Sequence, residues 1–296
     1  MRKNLEAFLI CTGILICLTT TQAEVNQKTY TYKTVGGTEL KADVYSPASA
    51  GKLPVVIYIH GGGLIFGSRE NQPSSPLREA LIDAGYVVVA IDYRLAPDTL
   101  ADEIAIDVED ACKWVRNKGP QLFSVDPNNI VVMGGSSGGY LTLLMGCRLN
   151  PAPKALVSFS GYGDIRWFNP PKITPVPESI PPYEGKPGWD FYVYCRNYGV
   201  YINKVTGLDP AKDINKIKLL CPVDNIQKNY PRTLLIHSRA DYDVPYEQAV
   251  LMKKALDSNG IQNELFTLPD GHSSEMIRNH SDKIIKKVLA FLKTEQ

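Results

Sequence analysis

Eight short runs of apolar, mostly β-branched residues, separated by stretches with helical spacing, constrain this 296-residue chain more than any other feature. Two of them, Thr29–Val35 and Glu39–Tyr45, flank Gly36-Gly37, a pair suited to a tight antiparallel turn. The other six are Pro54–His60, Tyr86–Asp92, Asn129–Gly134, Ala155–Ser160, Arg232–His237 and Asn263–Leu268, each bounded by Gly, Pro or polar residues. Between them, Ile104, Val108, Ala111 and Val115 recur on one helical face, as do Ala249, Met252 and Leu256, and then Ile284, Ile285, Val288, Leu289 and Leu292. Such alternation predicts one α/β domain, a mainly parallel eight-stranded sheet covered by helices on both faces. The first two strands should form its leading edge.

One stretch breaks the alternation. From Gly161 to Tyr230 the chain is rich in proline and aromatics, among them Trp167, Phe168, Tyr183, Trp189, Phe191, Tyr192, Tyr194, Tyr198 and Tyr201, with no strand pattern. So long an irregular insertion in a compact domain is usually functional. It is read as a cap over the active edge of the sheet, with short helices around Asp190–Tyr198 and Pro210–Ile217.

The beginning of the chain reads as an address. Arg2 and Lys3 precede an apolar core from Ala7 to Leu18, and small residues at Thr21 and Ala23 suit a signal-peptidase site. The apolar core is well short of the ~20 residues that span a bilayer, so residues 1–23 are expected to be a signal peptide cleaved near Ala23. Neither Cys11 nor Cys17 follows the small residue a lipoprotein box needs, so no membrane anchor is expected after cleavage. Residues 24–296 then form the mature domain, exported to a periplasm or beyond the cell. Its positive and negative side chains balance, which leaves no basic field to draw nucleic acid.

Four cysteines remain in that part: Cys112, Cys147, Cys195 and Cys221. Cys112 and Cys147 fall in helical stretches with apolar neighbours, where a thiol serves as a small hydrophobe. Only Cys195 with Cys221 is a candidate disulfide, and the sequence leaves that pairing open. No spacing resembles a zinc set, so no metal is expected.

Chemistry enters with Gly134-Gly135-Ser136-Ser137-Gly138-Gly139, which follows the run NIVVM and opens a helix-compatible stretch. A G-x-S-x-G pattern between strand and helix holds a serine hydroxyl exposed on a sharp turn. Two registers fit; Ser136 is preferred because it lies nearer the strand end and leaves the Ser137 N–H at the helix start. A serine needs a base to take its proton, and imidazole titrates in the right range. Of four histidines, His60 belongs to an HGGG run, His237 ends a strand and His280 leads the last helix, leaving His272 on the loop after the last strand. An acid must fix the imidazole's tautomer; Asp241, directly after the strand RTLLI, is assigned that role. Asp243 and Asp270 are its rivals, each read as capping a turn or solvated. The oxyanion formed on a carbonyl needs backbone donors, and His60-Gly61-Gly62-Gly63 supplies them. Gly62 and Gly63, with the Ser137 N–H, are expected to form the oxyanion hole.

With HGGG at 60–63, Asp92-Tyr93-Arg94-Leu95-Ala96-Pro97, GGSSGG at 134–139, Asp241-x-x-Val244-Pro245 and Gly271-His272, the chain from about Pro54 onward resembles the α/β-hydrolase superfamily, on its hormone-sensitive-lipase and bacterial acetyl-esterase side. That resemblance implies a serine carboxylesterase acting on small acyl groups, with a cap and no cofactor. It makes the DYRLAP segment structural rather than catalytic. Two departures stand out: Gly135 occupies the place of an acidic residue, and the acid loop looks more like that of feruloyl-esterase-like and peptidase-like relatives.

The expected function is therefore an exported serine carboxylesterase using Ser136, His272 and Asp241 on acetyl or feruloyl-type esters, with a small-molecule or carbohydrate ester as its partner. The alternatives are a serine exopeptidase of proline-specific type and a non-catalytic binding protein with the same fold.

Overall fold

The computed structural model describes residues 25–48, 51–71, 73–168 and 188–293. The expected signal peptide, and residues 169–187 of the expected cap, lie outside the described residues.

Eight strands form one sheet: β1 (Val25–Val35), β2 (Thr38–Pro47), β3 (Leu53–Ile59), β4 (Val87–Ile91), β5 (Val125–Gly135), β6 (Ala155–Phe159), β7 (Arg232–Ala240) and β8 (Asn263–Asp270). Their spatial order is β1-β2-β4-β3-β5-β6-β7-β8. β2 runs antiparallel to β1 and β4, and every other pair is parallel. The hairpin at the edge and the parallel remainder are as the sequence predicts.

Alternation of side chains within each strand builds two cores. Val55, Ile57 and Ile59 of β3 join one cluster, and Val56 and Tyr58 join the other. The first is covered by α2 (Ala101–Leu122), α3 (Ser137–Arg148) and α7 (Glu247–Ser258). α1 (Ser75–Asp83), α8 (Ser274–Asn279) and α9 (Ser281–Lys293) cover the second. The predicted helical faces are the buried ones: Ile104, Val108, Ala111 and Val115 on α2, and Ile284, Val288 and Leu292 on α9. Each such aliphatic side chain withdrawn from water contributes on the order of 1.5–3 kcal/mol. At the end of α9 the buried Arg232 guanidinium donates to the Phe291 carbonyl at 2.7 Å, satisfying a last-turn acceptor and tying helix to sheet.

The insertion leaves after β6 and returns before β7. Its first residues belong to the core: Tyr162 stacks on Tyr140 at 4.6 Å, and Ile165 and Phe168 are buried. Beyond them come α4 (Trp189–Asn197), α5 (Tyr201–Thr206) and α6 (Ile214–Lys218). The first and third match expectation, while α5 was not anticipated. Cys195 and Cys221 are not paired to each other; both are buried free thiols, as is Cys112, and Cys147 is half-buried. Burial pushes all four thiols up to about 12. Among the described residues no helix is long and apolar enough to cross a membrane.

Parallel strands end on the same side. The C-terminal ends of β3, β5, β7 and β8 therefore deliver His60, Ser136, Asp241 and His272 to one rim of the sheet, the rim where open α/β sheets place their ligands.

Candidate active site

Ser136 sits between β5 and α3 with φ 56° and ψ −123°, a conformation that L-residues avoid. Its N–H donates to the Phe159 carbonyl at 2.8 Å, which fixes the turn to β6. The turn closes this tightly only because Gly138 has no side chain: a Cβ there would lie 2.1 Å from the Ile59 carbonyl oxygen and 2.5 Å from that of His60. The same contact presses the serine turn against the start of the HGGG loop.

The Ser136 hydroxyl lies 3.0 Å from His272 Nε2. On the other side of the ring, Nδ1 lies 2.8 and 2.9 Å from the two carboxylate oxygens of Asp241. An ionised carboxylate can only accept there, so Nδ1 carries the proton and Nε2 is left to accept from Ser136. The three residues expected from the sequence are thus brought together, in the preferred serine register; the Ser137 side chain is buried.

Asp241 is held as a carboxylate. Burial works to raise its pKa, but hydrogen bonds from His237 and His272 and the Val244 N–H together hold it well below the usual range. Its Oδ1 accepts from the N–H groups of Asp243 and Val244 at 3.0 and 2.9 Å. His237, read from the sequence only as the end of a strand, stands behind the acid with Nε2 3.4 Å from Asp241 Oδ2 and 2.9 Å from the Val244 carbonyl. The histidine loop is pinned as well: Ser238 Oγ donates to the Gly271 carbonyl at 2.6 Å, and the Ser273 N–H donates to Ser160 Oγ at 3.0 Å.

Gly62 and Gly63 line the same cavity as Ser136 and His272, which has a volume of about 640 Å³. Gly62 has φ +114°, and a Cβ on it would fall 1.9 Å from the Phe66 carbonyl oxygen. The loop turns back on itself there, with the N–H groups of Ile65 and Phe66 both donating to the Gly62 carbonyl. Ser137 is the first residue of α3, where an N–H has no intrahelical acceptor. Behind the loop, His60 Nδ1 lies 2.7 Å from the Gly61 carbonyl, and its ring stacks on Tyr93 at 4.1 Å. The Tyr93 hydroxyl donates to the His60 carbonyl, and Arg94 grips Asp107 through two nitrogens. DYRLAP is thereby a brace for the HGGG loop. At Gly135, where the acidic residue is absent, a Cβ would lie 2.4 Å from Ser273 Oγ, so a side chain there would require Ser273 to turn away.

Burial pushes His60 down to about 4, against a small opposing pull from the Gly61 carbonyl and Asp92. Above pH ~6.5 His60 is neutral whether the chain is folded or not. As pH falls from there to about 4 the unfolded chain takes up a proton that the folded chain refuses, so stability drops by about 3 kcal/mol. Urea titrations of the parent and His60→Gln between pH 7 and 4 should show their stability gap shrinking toward acid; a constant gap would contradict the assignment.

Of the two rival acids one lies as expected and one does not. Asp270 is exposed and pairs with His280 at 2.9 Å, in line with a surface role. Asp243 neither caps a turn nor faces bulk water: it lines the cavity, accepts from Tyr192 and Arg196 of α4 at 2.8 Å each, and places Oδ2 3.6 Å from His272 Nε2. Tyr192 and Trp189 of α4 also line the cavity, and Tyr201 donates to the Gly63 carbonyl at 3.0 Å. None of these partners has a local sequence pattern that points to the site. Among the described residues no group of His, Cys, Asp and Glu is arranged to hold a metal ion.

The BD-FAE family model matches residues 42–163, and that of the Prolyl oligopeptidase family matches residues 189–295. The non-reducing polyketide synthase ausA of Emericella nidulans is 29% identical over 83% of this chain, which spans only 13% of that protein's length. The acetyl ester-xyloside bifunctional hydrolase from Caldicellulosiruptor lactoaceticus superposes with a TM-score of 0.71 at 19% identity, covering 90% of this chain and 96% of that one. A thermophilic esterase from the Planctomycetes species Thermogutta terrifontis does so with a TM-score of 0.66 at 23% identity, covering 93% and 92%. Sheet order, the serine turn after β5, and these superpositions agree that the chain has the α/β-hydrolase fold.

Proposed function

We propose that the protein is a serine carboxylesterase, and the observation that carries the reading is the unbroken chain of hydrogen bonds from Ser136 through His272 to Asp241 along one wall of the cavity. Ser136 Oγ attacks the ester carbonyl while His272 Nε2 takes its proton. Asp241 stabilises the imidazolium that results. The carbonyl oxygen, now an anion, is met by the N–H groups of Gly62, Gly63 and Ser137, each such donor being worth roughly 3–4 kcal/mol of barrier. On collapse His272 returns the proton to the departing alcohol, and water then releases the acyl group by the same route in reverse roles.

The substrate is proposed to be a short-acyl ester, acetyl or feruloyl-type, on a carbohydrate or a small alcohol. A cavity of about 640 Å³ has to hold both halves of the ester. Trp189 and Tyr242, 55% and 71% exposed, present flat rings at its margin that suit a sugar or phenol face. The hydrolase from Caldicellulosiruptor lactoaceticus is described as acting on an acetyl ester and a xyloside, which favours the same class. Export is proposed from the basic start and apolar run of residues 1–23.

The match of residues 189–295 to the Prolyl oligopeptidase family favours a second reading, a serine exopeptidase. A panel of p-nitrophenyl esters from acetyl to decanoyl, acetylated xylo-oligosaccharides and an aminoacyl-anilide separates the two. The esterase reading expects kcat/KM to peak at acetyl and the anilide to be left intact. A peak at eight carbons or more removes the short-acyl assignment, and cleavage of the anilide but not the acetate replaces the esterase with the peptidase.

A further inference from the structure

We infer that Asp243 is a recognition group for the alcohol half of the substrate, accepting a hydrogen bond from a free hydroxyl on the carbon next to the ester oxygen. The inference rests on the esterase reading and adds to it a chemical requirement on the leaving group.

Position comes first. In the leaving step the departing oxygen must lie within hydrogen-bond reach of His272 Nε2, which hands it the proton. Asp243 Oδ2 is 3.6 Å from that same nitrogen, and its side chain is 15% exposed into the cavity. A hydroxyl one carbon away from the departing oxygen therefore falls between the two, within reach of the carboxylate.

Acceptor capacity comes next. Asp243 Oδ1 is engaged by Arg196 Nη1 and the Tyr192 hydroxyl at 2.8 Å each, and the main-chain oxygen of Asp243 lies 3.4 Å from Arg196 Nη2. Among the described residues Oδ2 has only the longer 3.0 Å approach of the same Tyr192 hydroxyl. An ionised carboxylate offers several lone-pair sites, so the oxygen nearer the imidazole retains room for a donor from the substrate.

Charge then chooses between donors. A lone carboxylate would invite an ammonium group, but Asp243 is already neutralised by Arg196, a nearly buried guanidinium lying over the rings of Trp167, Phe168 and Tyr192. Arg78 and Arg278 also line the cavity, against one further carboxylate, Glu70. A neutral hydroxyl suits such a site and a cation does not. The substrate class that follows is the monoester of a vicinal diol, of which a partly acylated sugar ring is one form. A site that bonds a hydroxyl disfavours the analogue lacking it, because the analogue strips water from the carboxylate oxygen and returns no donor in its place.

The test is a pair of esters equal in heavy atoms, 2-hydroxyethyl acetate and propyl acetate, with 2-methoxyethyl acetate as a control that accepts but cannot donate. The unmodified chain is expected to favour the hydroxyl ester over both others by about 10- to 100-fold in kcat/KM, the worth of a hydrogen bond to a charged group. In Asp243→Ala, and in Asp243→Ala combined with Arg196→Met so that no guanidinium is left unpaired, the ratio should collapse to within about threefold of one. A ratio near one in the unmodified chain, or a ratio that survives both substitutions, overturns the assignment. So does a preference for acetylcholine over 2-hydroxyethyl acetate that disappears in Asp243→Ala, which would make the site cationic. If none of the esters is turned over by the unmodified chain, the esterase reading falls and this inference with it.

Discussion

Replacing Ser136 with alanine is expected to lower kcat on p-nitrophenyl acetate by about 10⁵- to 10⁶-fold, the scale on which a serine–histidine pair acts as one unit. The geometry behind the number is the 3.0 Å contact between Ser136 Oγ and His272 Nε2, for which the buried Ser137 side chain offers no substitute. His272→Ala should cost a similar amount, and combining it with Ser136→Ala should cost little more. Ser137→Ala retains the main-chain N–H assigned to the oxyanion, so its loss should stay below about tenfold, small beside the ~3 kcal/mol of a deleted donor. Equal rates for Ser136→Ala and the parent chain, measured on the same folded preparations, would end the covalent mechanism.

The second large effect is expected at Gly62. An alanine there must place its Cβ against the Phe66 carbonyl oxygen while holding φ at +114°, and neither can be kept. The turn that accepts the Ile65 and Phe66 N–H groups opens, and the Gly62 and Gly63 donors lose their aim. We expect kcat to fall by about 10²- to 10³-fold with a smaller change in KM, because those donors bind the transition state more strongly than the ester. Thermal unfolding should register a cost of roughly 1–3 kcal/mol from the overpacked loop. An alanine variant with kcat within threefold of the parent and an unchanged melting temperature would show that the loop does not serve as the oxyanion hole.

Why the sheet could be read from sequence is a matter of burial. The central strands lie between two layers of helices, so they are apolar on both faces and stand out as continuous runs; β4 is buried along its whole length. β1, mostly exposed at the edge, begins four residues earlier than its apolar pattern suggests, because its first residues are held by the β2 ladder rather than by a core. α5 was missed for the opposite reason. Six residues are too few to show a helical period: Tyr201, Ile202, Val205 and Thr206 are buried, and two adjacent residues, Asn203 and Lys204, are all that is left to mark a polar side.

The candidate site divides along the same line. Ser136, Gly62 and Gly63 are legible because a strained serine turn and a side-chain-free loop demand glycines at fixed spacing next to a strand end. His272 and Asp241 follow from chain order and from the scarcity of histidines. The partnership of Asp243 with Arg196 could not be read, since it joins residues far apart in the chain, one of them in a stretch whose composition shows only an abundance of aromatics. The place of His237 behind the acid could not be read either, because its burial there is a tertiary fact with no local signature.

The insertion between β6 and β7 has an evolutionary consequence. Ser136, His272 and Asp241 stand on the sheet scaffold, whereas the inserted segment contributes Trp189 and Tyr192 to the cavity lining, so exchanging that segment would alter the cavity and leave the three in place. The Asp243–Arg196 tie makes the exchange less than free. A module borrowed from another member of this fold would need its own counter-ion at that place, or would arrive together with a change at residue 243.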